Sequence, residues 1–296
     1  MNLGVVILNW NAADDTIACL DAVAAWRRLS PQVWVVDNAS QGDDAGRIAR
    51  AHPQVKLIRS DRNRGFAGGN NLALAEALAA GCAAVLLLNN DAAIEEESVA
   101  VLMEALQAHP EVGIVGPPLW DSERPAVLLS AGGVDIALHA ASHLLDLPDG
   151  EPLRRVDHVP GTCVLIRAGV LQAAGLLDEA YFFGGELADL CARARQHGFE
   201  SAVDGRARAV HRLSRSSELR HTLHVYYVLR NRFLFIRKFH ARQRLRLFFL
   251  WAAQGLRLAL QAALRRQPRR ARAALLGVAD GLRGRFGGQN ERILAR

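Results

Sequence analysis

Five short apolar runs, separated by segments with helical periodicity, constrain the fold of this sequence more than any other feature. The runs cover residues 5–8, 33–36, 55–58, 84–88 and 112–115. The segments between them repeat apolar side chains every three or four residues, as amphipathic helices do. Uninterrupted apolar strands that alternate with such helices form mostly parallel sheets that are covered by helices on both faces. The pattern therefore predicts an α/β fold.

Polar residues follow three of these runs directly. Asn9 follows the first run, Asp37 follows the second, and Asn89, Asn90 and Asp91 follow the fourth. Ligands of open parallel sheets bind beyond the carboxyl ends of the strands. The alternative is that each side chain caps the next helix, which explains any single position well. Three strands that end in this way favour a binding site.

The pattern divides the chain into three parts. Residues 1–118 alternate strands and helices, and residues 222–296 are helical and increasingly basic. Residues 119–221 are rich in loops, with one strand at 164–166, a short helix at 170–174 and a second helix near 188–197. We expect the middle part to complete a cleft with the first.

The charges of the chain are divided unevenly. Residues 237–296 hold 14 Arg and one Lys against one Asp and one Glu, a net charge of +13. Since the whole chain carries +6, the first 236 residues carry −7. A segment this basic favours an anionic partner. The sequence has no nucleic-acid-binding motif, so we predict that residues 240–275 bind an anionic membrane surface and that the protein binds no nucleic acid.

The apolar stretch 245–264 decides how such a membrane contact is made. Arg246, Gln254, Arg257 and Gln261 interrupt it, and this predicts a helix that lies in the interface instead of crossing the bilayer. The alternative is a helix packed on the body of the protein or on a second copy in a homo-oligomer.

The cysteines and the N-terminus indicate where the protein is found. The four cysteines are dispersed and have no CxxC spacing, and the N-terminus has no signal-peptide pattern. These features predict a reduced cytoplasmic protein.

Seven motifs in register carry a resemblance to a known family. They are VVILNWN, VVDNAS, NRGFAGGNN, LLLNNDA, VPGTCVLIR, LLDEAYFFGGELADLCARARQHGF, and a C-terminal pair, VHRLSRSS and YYVLRNRFLFIRK. In this order they resemble the inverting nucleotide-sugar glycosyltransferases of family 2, which have the GT-A fold, and in particular the rhamnosyltransferase-like branch. The resemblance covers residues 2–238. It implies a Rossmann-like sheet with helices on both faces, followed here by the basic helical tail.

The resemblance implies roles for individual residues. Asp91 takes the place of the metal-binding aspartate and His211 that of a further metal ligand, for Mg²⁺ or Mn²⁺, whereas a surface histidine is the alternative for His211. Asp37 would contact the base or the ribose, Asn90 the ribose or a metal-bound water, and Arg212 and Arg215 the phosphates. The glycine-rich segment 65–69 would let the backbone approach the nucleotide closely, with an ordinary tight turn as the alternative. The remaining expected nucleotide-sugar contacts are Asn9, Asn11, Asn38, Asn63, Gly65, Asn70, Gly161 and Thr162.

The sequence departs from the family at the catalytic base. An inverting transfer needs a carboxylate that takes the proton of the acceptor hydroxyl. The family has an acidic pair here, but this chain reads Glu186-Leu187-Ala188-Asp189. We expect Glu186 to serve as the base and Asp189 to support it or to bind the acceptor. The alternative is a non-catalytic nucleotide-sugar-binding partner on the same fold.

The resemblance finally implies a function. The expected reaction moves rhamnose or another hexose from a UDP- or dTDP-sugar to a glycan or lipid-linked acceptor. The expected context is the synthesis of bacterial cell-surface polysaccharide, with the enzyme cytoplasmic and peripheral at the inner face of the plasma membrane.

Overall fold

The computed structural model describes residues 1–147, 151–212 and 218–294, with side chains from residue 222 onward in the last range. Its strands, in chain order, are β1 (Leu3–Asn9), β2 (Gln32–Asp37), β3 (Lys56–Arg59), β4 (Ala84–Asn89), β5 (Ala92–Ile94), β6 (Val112–Gly116), β7 (Leu119–Asp121), β8 (Leu128–Ser130), β9 (Leu153–Val156), β10 (Cys163–Arg167), β11 (Glu200–Asp204) and β12 (Ala209–His211). All five predicted apolar runs are strands of the main sheet: β1, β2, β3, β4 and β6.

The main sheet has the strand order β3-β2-β1-β4-β10-β6-β11-β9. Pairs among the first four strands are parallel, as predicted, and so is β6 with β11. Strand β10 runs antiparallel to both of its neighbours, β4 and β6. A second, smaller sheet has the order β5-β12-β7-β8. The division of the chain at residues 118 and 221 stays a prediction.

Helices cover both faces of the main sheet. They are α1 (Ala13–Ala24), α2 (Asp44–Ala51), α3 (Gly65–Ala79), α4 (Glu96–Ala108), α5 (Ala168–Ala174) and α6 (Glu186–Gln196). Successive residues of β1 explain why its run is uninterrupted. Val5 and Ile7 pack into one core cluster, together with α1 and α4, whereas Val6 packs into the other, together with α3 and α6. A strand that is buried on both faces needs apolar side chains at every position.

The C-terminal part of the chain forms α7 (Glu218–Phe239), a short 3-10 turn (Ala241–Gln243), α8 (Arg244–Leu264), α9 (Pro268–Arg283) and α10 (Asn290–Leu294). Helices α7, α8 and α9 pack on one another around a shared apolar cluster. Glycines allow the close approach, since a Cβ atom at Gly255 would lie 2.2 Å from Val278 and one at Gly281 would lie 2.4 Å from Phe233. The Trp251 indole donates to the Ala137 carbonyl at 2.8 Å and so joins α8 to the body.

Helix α8 presents two different faces. Leu247, Trp251 and Ala259 are buried against the protein. The exposed stripe of α8 is the opposite row of Leu245, Phe249, Leu256, Leu260 and Leu264. Within the described residues one segment, Ala241–Leu264, is long and apolar enough to cross a membrane. Its most apolar 18-residue window has a mean hydropathy of 1.4 and is 22% buried. Length and composition alone do not establish a membrane span, since core helices of other proteins share them. Packing on the protein therefore accounts for one face of this helix and leaves the other uncovered.

Candidate active site

A cavity of about 450 Å³ opens where strands β1, β2 and β4 end. The strand register brings these ends together, since Asn9 pairs with Asp37 and Leu8 pairs with Asn89. Of the expected site residues, the lining includes Asn11, Asn38, Asn63, Gly65, Asn90 and Asp91. The predicted clustering of strand-end residues is therefore seen in the structure.

Asp91 and His211 meet beside this cavity. Strand β12 pairs with β5 so that His211 lies opposite Ala92, and the Arg212 amide donates to the Asp91 carbonyl at 2.9 Å. This pairing places Nε2 of His211 3.1 Å from Oδ1 of Asp91. Both side chains are largely buried.

The pair has the donor chemistry of a divalent-metal site. A carboxylate oxygen and an imidazole nitrogen that lie 3.1 Å apart are ligand types that Mn²⁺ can take, and the carboxylate alone suits Mg²⁺. Among the described residues no group of three His, Cys, Asp or Glu side chains is close enough to hold a metal. A metal held by these two side chains would keep further positions for oxygen ligands such as water.

Two more polar side chains surround the pair. Asp15, on the first turn of α1, lines the cavity and lies 3.6 Å from the Arg212 guanidinium. Arg212 is exposed. Arg215, the second expected phosphate contact, lies outside the described residues.

Asn9 and Asp37 hold the ends of β1 and β2 together. Asn9 is fully buried, and its amide nitrogen lies 3.1 Å from Asp37 Oδ1 and 3.1 Å from Asp44 Oδ2. The side-chain oxygen of Asn9, Oδ1, accepts from the Thr16 hydroxyl at 2.7 Å. In the part of the chain that the structure describes, neither Asn9 nor Asp37 is among the residues that line the cavity. Both polar atoms of the Asn9 side-chain amide are therefore already bonded to protein groups, and a contact of Asn9 or Asp37 with the nucleotide sugar stays a prediction.

Asn38 and Asn63 shape the turn before α3. Asn38 donates to Asn63 Oδ1 and to the Gly65 carbonyl, both at 3.1 Å, and its own oxygen accepts from the Arg64 amide at 2.9 Å. Asn63 Oδ1 also accepts from the Gly65 amide at 2.8 Å. This network fixes the cavity edge that Gly65 forms.

The loop 180–185 lies against the first turn of α3. The Phe182 carbonyl accepts from the amides of Phe66 at 2.6 Å and Ala67 at 3.3 Å, and Phe182 itself has a φ of 62°. A Cβ atom at Gly65 would lie 2.3 Å from that carbonyl. Gly65 is therefore needed because Phe182 approaches it and because its φ is 70°, and the close approach of a nucleotide to this segment stays a prediction.

Arg230 and Asn231 of α7 fix this loop from the other side. Arg230 is fully buried and donates to the carbonyls of Tyr181 at 2.7 Å and Ala180 at 3.1 Å. Asn231 donates to the carbonyls of Tyr181, Phe183 and Gly184 at 3.0, 2.9 and 2.5 Å. Two side chains of one helix thus set the path of the backbone that leads into α6.

Glu186 and Asp189 begin α6 but differ in their surroundings. Glu186 is buried, and burial raises the pKa of its carboxyl to about 7. No hydrogen-bond partner for its Oε2 exists among the described residues. Asp189 is fully buried and its two oxygens contact Arg193 and Lys238. Asp189 therefore joins α6 to α7 through these ion pairs, and its expected role, to support Glu186 or to bind the acceptor, stays a prediction.

Leu187, at the position of the family's base, packs in the apolar core. Its side chain comes within 3.0 Å of where a Cβ atom at Gly161 would lie. Gly161, Thr162 and Asn70 lie outside the set of described residues that line the cavity. The backbone carbonyl of Thr162 accepts from the Asn89 amide at 2.9 Å, and the Asn70 side chain donates to the Phe66 carbonyl within α3 at 2.9 Å. The expected contacts of Gly161, Thr162 and Asn70 with the nucleotide sugar stay a prediction.

The cavity also has lining residues that sequence reasoning missed. They include Trp10, Asp15, Phe182, Phe183, Leu223, Tyr227 and Asn290. Trp10 follows a strand end directly, and its exposure (46%) marks a large aromatic side chain left uncovered. The last three residues come from α7 and α10, in the part of the chain that the sequence assigns to the basic tail.

Comparisons with known proteins identify relatives of this chain. The family model for glycosyl transferase family 2 matches residues 4–171. The low-salt glycan biosynthesis hexosyltransferase Agl10 of Haloferax volcanii is 27% identical over 236 residues, 79% of this chain and 75% of that protein. The galactofuranosyltransferase GlfT1 of Mycobacterium tuberculosis is 26% identical over 200 residues, 65% of this chain and 64% of that protein.

Solved structures share the fold at low identity. The mannosyltransferase PcManGT from Pyrobaculum calidifontis, in complex with GDP-Man and Mn²⁺, has a TM-score of 0.59 at 16% identity, covering 95% of this chain and 87% of that one. S. aureus TarS 1-349 in complex with UDP-GlcNAc has a TM-score of 0.55 at 13% identity, covering 96% and 92%. The fold, the strand-end cavity and the match of the family model over more than half of the chain lead to one conclusion: the chain belongs to glycosyl transferase family 2 and is a glycosyltransferase of the GT-A fold.

Proposed function

We propose that this glycosyltransferase moves rhamnose or another hexose from a UDP- or dTDP-sugar to a glycan or lipid-linked acceptor, with inversion at the anomeric carbon. The observation that carries the proposal is the Asp91–His211 pair, 3.1 Å apart, beside the 450 Å³ cavity at the strand ends. The hexosyltransferase Agl10, 27% identical, supports a hexosyl unit. The cell-surface polysaccharide context rests on the motif resemblance.

Asp91 and His211 would hold Mg²⁺ or Mn²⁺. The metal would neutralise the charge that grows on the leaving nucleoside diphosphate. The mannosyltransferase PcManGT, which shares this fold, was solved in complex with GDP-Man and Mn²⁺, which supports a divalent ion here. Arg212 is exposed beside the pair and has the planar donors that bind phosphate oxygens.

The edge formed by Asn38, Asn63 and Gly65 would receive the nucleoside. Trp10 adds an exposed aromatic ring on which a base can stack. Asn11 has a φ of 53° and its oxygen accepts from the Gln41 amide at 2.6 Å, so this loop is held in place before a ligand arrives. Asp37 is the last residue of β2, and Asn38, which lines the cavity, follows it directly. Asp37 would therefore influence nucleoside binding by positioning Asn38.

Glu186 would take the proton of the acceptor hydroxyl. A general base works best when its pKa lies near the working pH, and burial raises the pKa of Glu186 to about 7. Glu186 and Asp189 each have one carboxylate oxygen without a hydrogen bond among the described residues. Both oxygens of Asp189 are in ion pairs, with Arg193 and Lys238, whereas the described residues form no ion pair with Glu186. This difference favours Glu186 over Asp189.

The exposed stripe of α8 would bind the inner face of a bacterial plasma membrane. Leu245, Phe249 and Leu264 are each at least three quarters exposed. The stripe ends beside the exposed Arg265, Arg266 and Arg269. Apolar insertion and attraction to anionic lipid together produce reversible peripheral binding, with about 1 kcal/mol for each basic residue near the surface.

A second candidate function is donor binding without catalysis. It is favoured by Leu187, which is 4% exposed in the core at the position of the family's acid. The two functions differ only in turnover. A panel of UDP- and dTDP-sugars, assayed for nucleotide release and for transfer to a lipid-linked acceptor with Mn²⁺ and with EDTA, separates them. Binding without release of UDP or dTDP in any condition would select the second function.

A further inference from the structure

The C-terminal segment 286–294 folds back onto the loop 180–185. The Gly287 amide donates to the Ala180 carbonyl at 2.8 Å, and the Gly287 carbonyl accepts from buried Arg230. A Cβ atom at Gly288 would lie 2.9 Å from the Phe182 ring. Backbone contacts and close packing therefore seat this segment at the cavity, where Phe182 also lies.

Tyr227 orients the side chain of Asn290. The Tyr227 hydroxyl accepts from the Gln289 amide at 2.8 Å and donates to Asn290 Oδ1 at 2.7 Å. Burial raises the pKa of Tyr227 to about 12, so the hydroxyl keeps the proton that it donates. Since the oxygen of the Asn290 amide faces Tyr227, its NH₂ group is directed away from that ring.

The NH₂ group of Asn290 has no acceptor within the described residues, and Asn290 lines the cavity. A nucleotide sugar offers hydroxyl and phosphate oxygens, which an amide NH₂ binds as a donor. We propose that Asn290 is a donor-substrate-binding residue whose amide N–H groups bind oxygen atoms of the nucleotide sugar. The inference rests on the proposed function, since it assigns Asn290 to the same ligand in the same cavity. It extends the donor site to α10, far beyond the segment 4–171 that the family model matches.

Equilibrium binding to the full-length protein tests this assignment. The probes are UDP, dTDP, UDP-glucose and dTDP-glucose, each with Mn²⁺. The variants are Asn290→Ala and Asn290→Asp, and the matched control is Glu291→Gln, an exposed position on the same helix. Asn290→Ala should weaken binding about three- to tenfold, the effect of one lost hydrogen bond. Asn290→Asp should weaken it further, because a carboxylate would face an anionic ligand.

The outcomes are distinct. A loss confined to the glucose conjugates would place Asn290 at the sugar, and a loss with bare nucleotides would place it at the nucleotide, and either supports the inference. Wild-type affinity in both Asn290 variants, or an equal loss in Glu291→Gln, would overturn it while the proposed function stood. If the wild-type protein bound none of the four probes, the proposed function itself would fail. Thermal unfolding of each variant should stay close to that of the wild type.

Discussion

His211 Nε2 lies 3.1 Å from Asp91 Oδ1, although 120 residues separate the two in the chain. The small second sheet makes this contact, because β12 pairs with β5 immediately after Asp91. The two residues are therefore held by backbone pairing before any ligand binds. An arrangement fixed in advance in this way lowers the cost of binding a metal and a diphosphate.

Asp91→Asn should remove most metal-dependent donor binding and turnover, because it deletes the anionic oxygen ligand. Mn²⁺ titration followed by calorimetry, with and without UDP, measures the effect. Asp14→Asn is the matched control, since Asp14 is exposed on α1 and contacts Arg47. Wild-type Mn²⁺ affinity and rate in Asp91→Asn would show that the metal binds elsewhere.

Glu186→Gln should lower turnover by roughly 10²- to 10⁴-fold, the usual effect of losing a general base. Donor affinity should change little, because Glu186 lies outside the lining of the cavity among the described residues. Leu187→Asp, which restores the family's pattern, is the complementary variant. A rate above wild type in Leu187→Asp would mean that this chain is weakened by its leucine, and an unchanged rate would support Glu186 as the base.

The free energy of unfolding should decrease as pH rises, because of Glu186. Its pKa is raised from 4.5 to about 7 in the folded protein, so the folded state holds a proton that the unfolded chain releases. The resulting stabilisation is complete below pH 4.5 and is lost as pH rises through about 7. Urea unfolding of the wild type and Glu186→Gln across this range measures it. The variant should lose less stability over that interval than the wild type, and parallel curves would contradict the assignment.

Asn231→Asp should disturb the donor site through the loop 180–185. It replaces an amide that donates to three loop carbonyls with a carboxylate that cannot donate. The variant should show a higher donor KM and a lower melting temperature, and Asn231→Gln, which keeps the amide, should recover part of the KM. A lower melting temperature with unchanged KM would limit Asn231 to a role in stability.

Membrane binding is tested with substitutions on the exposed stripe of α8. Truncation near Phe239 would also remove α9, which packs on α7 through Gly277 and Gly281. We therefore expect Phe249→Ser/Leu256→Ser/Leu260→Ser to abolish co-sedimentation with anionic vesicles while the fold persists. Gln261→Ser, on the same helix, is the control.

Salt sharpens the vesicle experiment. Wild-type protein should pellet less at high salt, because the attraction of Arg to anionic lipid is screened over about 8 Å at physiological ionic strength. If the triple variant pelleted as well as the wild type, the stripe would not be the membrane contact. Loss of a dimer in the triple variant, with vesicle binding absent in both proteins, would instead identify a contact between copies.

The sequence predicts the main sheet well but not the contacts that complete the site. Strands β1 to β4 and β6 follow from local apolar runs, and each is found within one or two residues of its prediction. Strands β5, β7, β8 and β12 have only three residues each and leave little local signal. The pairing that brings His211 to Asp91 depends on them, so the resemblance to the family and not the local pattern suggested it.

The roles of individual side chains are also hard to predict from the sequence, because they depend on contacts between elements that are distant in the chain. Asn9 and Asp37 were expected at the ligand, but the direction of a side chain at a strand end depends on neighbours from other elements, here Thr16 and Asp44. The pairing of Asp189 with Lys238 and the approach of Asn290 to Tyr227 are both contacts with α7. No local pattern encodes how α7 and α10 fold back onto the body.

Nucleotide release from a donor panel tests the central claim most directly. Purified full-length protein is incubated with UDP- and dTDP-hexoses and a lipid-linked acceptor, with Mn²⁺ or with EDTA, beside Asp91→Asn. We predict acceptor-dependent release of UDP or dTDP from at least one donor by the wild type with Mn²⁺, and loss of that release with EDTA and in Asp91→Asn. Release that persists at the wild-type rate in Asp91→Asn or in EDTA would contradict a metal-dependent transfer at the Asp91–His211 site.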